Sequence, residues 1–240
     1  MRDLSYVIID DTYELVISSD NAANIGEKEK DQIQAPYSLV AESLFRVAFM
    51  ENRSIGAHPI AVVLYNFTDE SVWREFTQTI KKKMNAMGFE VPITGSTESN
   101  FPLPHSAFGL SIIGKVEKRN KIDCQTPANA RFAVIGEPLV GEEVIRHRER
   151  MAPLALFEEL VKNKDIYEVL PVGSKGIEKE VKALLQANDF SEDVQVKCSL
   201  DLYKSGGPAT CFVITYNPGE EVNIRALAGD VFHHLTIAKY

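Results

Sequence analysis

The chain has 240 residues, 45% of them hydrophobic and 25% charged, with a net charge of −8. That is enough apolar material for two domains of about 100–150 residues each, and the charged fraction is ordinary for a folded chain rather than a disordered one. An acidic surface repels phosphate backbones, which speaks against general nucleic-acid binding, while small anions bridged by a divalent ion remain open. No run of 18 or more apolar residues offers a membrane span, and the first residues (MRDLSYVIIDD) lack a signal peptide's apolar stretch. Cys124, Cys198 and Cys211 are odd in number and widely spaced, which suits reduced thiols and a cytoplasmic location, without zinc-site spacing.

In chain order, the apolar runs Leu4 to Ile9 and Leu15 to Ile17 flank an Asp-Asp-Thr turn and predict a hairpin. Ser18-Ser19-Asp20-Asn21 is expected to end its second strand, with a polar loop continuing to Asp31. From Pro36 to Met50, Leu39, Val40, Ser43, Leu44, Val47 and Ala48 share one helical face. Pro59 precedes a short buried strand (IAVVLY). A helix should follow from Asp69, as N-cap, to Met87, with Gly88 as its stop. Val91 to Thr94 and Ser106 to Val116 read as strands.

The polar stretch 118–130 marks a boundary, giving domains of 1–118 and 119–240. Beyond it the rhythm repeats: strand 132–135, helix 152–162, strand 167–171, helix 174–187, strands 194–198 and 209–216, a short helix after Pro218-Gly219, and a last strand 231–238. Alternating strands and helices predict an α/β (α+β) fold.

Several groups of residues could carry chemistry. Asp3, Asp10, Asp11 and Asp20 surround the hairpin. Most strand-end acids are turn formers, but Asp20 is followed by the small, polar stretch NAANIG, which lets a ligand approach the backbone. Oxygen ligands of this kind suit Mg2+, which takes only one or two protein carboxylates. Glu51 is expected just past the first helix, where its charge opposes the helix dipole, followed by the turn SIGAHP with Gly56. ITGSTESNFP gathers Gly95, Ser96, Thr97, Glu98 and Asn100 after a strand; the plain alternative is a polar turn. GSKG at 173–176 and SGGP at 205–208 are turns that could also hold an anion, although neither is a P-loop. His233 and His234 lack metal-ligand spacing and read as structural.

Taken together, SSDNAANIG at 18–26, ME…GAHP at 50–59, TGSTE at 94–98, IGKV at 113–116 and the two glycine turns resemble the aminoimidazole-ribonucleotide (AIR) synthetase and thiamine-monophosphate kinase superfamily over nearly the whole chain. A narrower likeness is to AIR synthase-related proteins of Gram-positive bacteria, some of them assigned as α-ribazole kinases of cobalamin salvage. The resemblance implies a two-domain fold, with an N-terminal mixed sheet forming a barrel across a homodimer and a C-terminal α/β domain. It implies ATP and Mg2+ as cofactors, with Asp20, Glu51, Glu98 and Asp3 as metal ligands. Asp20, Asn21, Gly56, Gly95, Ser96 and Thr97 would contact the nucleotide, with Asn66 and Asn100 orienting substrate or ribose.

The chain departs from the pattern in several places. The Gly-rich segment that closes over ATP in relatives is missing before the first strand, Glu51 replaces a shorter acid, and Ser96-Thr97 stand where a metal-binding acid is usual. The absence of an early Cys argues against selenophosphate synthetase, and the ending IAKY against the hydrogenase-maturation relative. The resemblance therefore implies phosphoryl transfer from ATP to a small nucleoside-like molecule such as α-ribazole. A cyclo-ligase-like enzyme and a non-catalytic nucleotide-binding homodimer stand as alternatives, with no nucleic-acid or membrane partner.

Overall fold

The computed structural model of the chain describes residues 4–239. It divides into two compact units, one built from residues up to 53 and from 57–121, the other from 54–56 and from residue 122 onward. Asp3 lies outside the described residues. No helix among the described residues is long and apolar enough to cross a membrane.

The first unit opens with β1 (Leu4–Ile8) and β2 (Tyr13–Ala23), an antiparallel hairpin. Asp10 shapes its turn: Oδ1 accepts from the amides of Thr12 (2.7 Å) and Tyr13 (2.8 Å), which hold the carboxyl below the usual range. Helix α1 (Tyr37–Ser54) follows, then β3 (His58–Asn66), α2 (Trp73–Ala86), β4 (Ile93–Thr97) and β5 (Ala107–Glu117). Asp69 caps the short turn leading into α2, accepting from the Ser71 amide at 2.8 Å. The strands form one mixed sheet in the order β1-β2-β5-β3-β4, in which only β3 and β4 are parallel.

The apolar face expected of α1 is buried at Val40, Leu44 and Ala48, together with Phe45 and Phe49. Phe76, Ile80 and Met84 of α2 are buried as well, and Phe76 stacks on Phe108 of β5 with centroids 4.0 Å apart. The helices therefore cover the sheet face that carries Val16, Ser18, Val62, Leu64, Phe108, Leu110 and Ile112. The alternating residues point the other way, and that outer face includes half-buried Ile17, Val63 and Ile113 and exposed Tyr65.

The second unit has β6 (Arg131–Ile135), the short helix α3 (Glu142–Arg146), α4 (Leu154–Lys162), β7 (Ile166–Pro171), α5 (Gly176–Ala187), β8 (Val194–Cys198), β9 (Phe212–Tyr216), α6 (Glu221–Ala228) and β10 (Phe232–Lys239). Its sheet runs β8-β10-β6-β9-β7 and is antiparallel throughout, a purely α+β arrangement. Ile177, Val181, Leu184 and Leu185 of α5 pack on Val134, Leu170, Val196 and Val213 of the strands.

Glu168, buried in β7, ties the entry segment to this sheet. Its carboxylate accepts from the Cys124 amide (3.1 Å), the Thr126 hydroxyl (2.5 Å) and the Asn188 side chain (2.7 Å). His233 and His234 occupy β10, where His234 meets Glu221 at 3.4 Å. The three cysteines are free thiols.

Candidate functional site

Asp20 is expected to end β2, but the strand continues to Ala23 because β5 pairs with it over all eleven residues, Asp20 facing Leu110. A strand's end is set by its partner as much as by its own apolar run. Asp20 shares the parity of buried Val16 and Ser18, so its carboxyl lies on the helix-covered face and is half-buried. It forms no ion pair with any described residue. Burial pushes its carboxyl from 3.8 up to about 6, against a smaller opposing pull from the Asn21 amide.

The neighbourhood is ordered by specific bonds. Ser18 donates from Oγ to the Ala48 carbonyl at 2.7 Å, and Asn52 donates from Nδ2 to the Val16 carbonyl at 3.1 Å. Helix α1 thus runs opposite to β2. Gly114 makes room for this approach, since a Cβ there would fall 2.1 Å from the Asn52 Oδ1. Beyond β2, buried Asp31 accepts from the Ser106 amide (2.7 Å), the Ser106 hydroxyl (2.6 Å) and the Lys28 amide (3.0 Å). Lys28 donates from Nζ to the carbonyls of Thr68 (3.0 Å) and Leu103 (2.7 Å), fastening the loop that follows Asp20's strand. Neither Asn52 nor Lys28 belongs to the groups of residues that the sequence marks as candidates. An asparagine inside an amphipathic helix was the available signal for the first.

Glu51 lies within α1, in its last turn rather than beyond it, and is half-buried. It stands on the Asn52 side of the Ser18–Ala48 contact, whereas Asp20 lies two residues along β2 on the Leu44 side. Asp20, Leu110, Leu64 and Gly95 form one row across β2, β5, β3 and β4. Asp20 and Gly95 are thus three strands apart, about 14 Å at the usual spacing.

The next row sets Asn66 against Thr97. Asn66 is a structural residue: it is buried, its Nδ2 donates to the Asp69 carbonyl (2.7 Å) and Thr97 Oγ1 (3.2 Å), and its Oδ1 accepts from the Thr68 amide (3.0 Å). Glu98 folds back onto its own turn, Oε1 accepting from the amides of Asn100 (2.7 Å) and Phe101 (3.2 Å), which keep its carboxyl below the usual range.

Strand alternation divides the remaining candidates. Asn21 and Ser96 face the outer side of the sheet, opposite to Asp20 and Thr97. Gly56 takes φ 80 in the turn after α1. Gly95 is required by packing, since a Cβ there would lie 1.8 Å from the Leu64 carbonyl oxygen. Among the described residues no group of three or more His, Cys, Asp or Glu could hold a metal ion. The structure therefore gathers Asn66, Thr97, Glu98 and Asn100 at one end of β3 and β4, and leaves Asp20 and Glu51 apart from them.

Two five-stranded sheets in these orders, the first covered by helices on one face and the second by α5 on one face and α4 on the other, form an AIR synthetase-like fold. Among solved structures with this fold, the chain matches Thermotoga maritima PurL complexed with ADP at a TM-score of 0.64 and 14% identity, covering 100% of this chain and 42% of that one. It matches the HypE–HypF complex structure at 0.64 and 10% identity, covering 98% and 86%. Thiamine-monophosphate kinase from Stenotrophomonas maltophilia K279a gives 0.63 and 14%, covering 99% and 89%. The chain thus spans less than half the length of PurL. At these identities the likeness is one of fold. No family model and no curated protein matches the sequence.

Proposed function

We propose that the chain binds ATP with Mg2+ and transfers a phosphoryl group to a small nucleoside-like acceptor, α-ribazole being the sharpest candidate. The observation that carries this reading is Asp20, a half-buried carboxylate on the covered face of a central strand with no ion pair among the described residues. Such a group is costly unless a cation joins it. Mg2+ keeps most of its waters and takes its other ligands from phosphates, so one or two protein carboxylates suffice. Asp20 fits that role as a single carboxylate, since Glu51, the other acid expected there, lies toward Asn52 on the far side of the Ser18–Ala48 contact. Glu98 would first have to give up its two amide bonds.

Bound there, Mg2+ would neutralise charge on a triphosphate, and phosphoryl transfer needs mostly positioning and neutralisation. The fold supports the reading: PurL has been captured with ADP and with ATP, and a second neighbour is a kinase. We further propose a homodimer through the outer sheet face around Ile17, Val63 and Ile113, and a cytoplasmic location.

Calorimetry with Mg2+–ATP tests the binding, and γ-labelled ATP with α-ribazole tests the transfer. Wild-type nucleotide affinity in Asp20→Asn would remove the central residue. A second reading, a non-catalytic nucleotide-binding homodimer, is favoured by the separation of Asp20 from Glu98. It predicts heat with ATP and no labelled product.

A further inference from the structure

The charged run GEKEKDQ at 26–32 follows the strand that carries Asp20, and its two lysines have different fates. Lys30 is exposed, while Lys28 is half-buried. The main chain at Lys28 is tied on both sides. Its amide donates to Asp31 Oδ2 (3.0 Å), and its carbonyl accepts from the Asp31 amide (2.9 Å) and from Gln34 Nε2 (3.0 Å). The side chain therefore leaves from a fixed point, and its ammonium reaches the carbonyls of Thr68 and Leu103.

Those two carbonyls belong to different loops. Thr68 stands in the loop that leaves β3 for α2, and Leu103 in the loop 98–106 that joins β4 to β5. The second loop is held at its start, where the Glu98 amide donates to the Asn66 carbonyl (2.8 Å), and at its end, where Ser106 bonds Asp31. Lys28 adds a hold three residues before that end. An ammonium carries three donors and no acceptor, so one lysine can cross-link carbonyls that are distant in the chain. Bonds to a charged donor are also stronger than neutral ones. Between the Glu98 and Lys28 anchors lie Asn100 and Phe101, the latter 76% exposed.

We infer that Lys28 is a positioning residue. It pins the loops after β3 and β4 to the loop after β2, and so fixes where Asn100 meets the phosphoryl acceptor. The inference rests on the phosphoryl-transfer reading above, with Asn100 orienting the acceptor. Asp20 needs no such help, because its own strand is paired with β5 along its whole length. Loss of the ammonium therefore acts on the acceptor and spares the metal-bound nucleotide.

Two variants of the full chain test the inference. Lys28→Met keeps most of the apolar stem and removes the donors, whereas Lys28→Arg keeps the charge and the donors. Hydrogen exchange read by mass spectrometry should quicken across 66–69 and 98–106 in Lys28→Met, leave α1 unchanged, and stay near wild type in Lys28→Arg. With α-ribazole as acceptor, the KM of Lys28→Met should rise about tenfold, as loss of one charge-assisted bond implies, with Mg2+–ATP affinity within about twofold. Lys28→Arg should recover most of that loss. Unchanged exchange at either loop would overturn the inference. So would an unchanged acceptor KM, or a loss of ATP affinity as large as the loss for the acceptor. A wild type that neither binds ATP nor transfers phosphate would instead remove the phosphoryl-transfer reading and the acceptor role with it, and the clamp would then stand or fall on exchange alone.

Discussion

Replacing Asp20 with asparagine should make the ligand-free protein more stable at neutral pH while removing its response to nucleotide. In the fold this carboxyl titrates near 6 rather than 3.8, because burial disfavours its charged form. A raised carboxyl contributes stability that is fully present below pH 3.8 and is lost as pH climbs through 6, so at pH 7.5 the ionised group is a net cost. The displacement corresponds to about 3 kcal/mol at most, and the remaining exposure of the residue reduces it to roughly 1–3 kcal/mol. Asparagine is nearly the same shape and carries no charge to desolvate. With an m-value of about 2 kcal/mol/M, its urea midpoint should rise by about 0.5–1.5 M at pH 7.5, and by almost nothing near pH 4. Trp73, the sole tryptophan, lies in α2 of the unit that carries Asp20, so its fluorescence reports the relevant transition. An Asp20→Asn variant no more stable than wild type at pH 7.5, or equally shifted at pH 4, would refute the reasoning.

Gly95→Ala should lower stability by about 1–3 kcal/mol or more, because the added methyl meets the Leu64 carbonyl and forces the parallel pair apart; urea unfolding followed at Trp73 measures it. Glu168→Ala leaves the Cys124 amide, the Thr126 hydroxyl and the Asn188 amide without their acceptor, at a cost of about 3 kcal/mol or more. Glu168→Gln keeps one acceptor oxygen and should cost less, and hydrogen exchange at the Cys124 amide should rank the two. Ile113→Asp, in the middle of the outer sheet face, should convert a dimer into a monomer in light scattering. A monomeric wild type would sink the dimer proposal.

The order of elements was largely legible because local chemistry and tertiary structure agree. Asp69 caps where a capping residue was expected, Gly88 stops α2 at φ 84, and the apolar period of α1 matches its buried face. The limits of β2 and β4 were less legible. Apolar alternation stops at Ile17, yet β5 supplies backbone partners through Ala23, so polar Ser18 to Asn21 are drawn into the strand. Likewise Gly95-Ser96-Thr97 read as a turn after a strand ending at Thr94, yet they belong to β4, because β3 pairs with them and Gly95 permits a close approach. The candidate site suffered from the same cause. Once those stretches are strands, neighbouring residues face opposite sides of the sheet, so Asn21 parts from Asp20 and Ser96 from Thr97. Glu51 was displaced in the same way, since α1 continues one turn beyond the point where its apolar pattern fades.

The placement of Asp20 in the middle of a paired strand has a kinetic and entropic consequence. An acid on a mobile loop must give up backbone freedom, about 1–2 kcal/mol per residue fixed, each time it captures an ion. Asp20 has no such loss to make, because eleven consecutive pairings with β5 already immobilise its main chain. Under the proposed function, capture of Mg2+ at this carboxylate would therefore be governed by stripping water from the partners, a slow step for that ion, rather than by rearranging the chain.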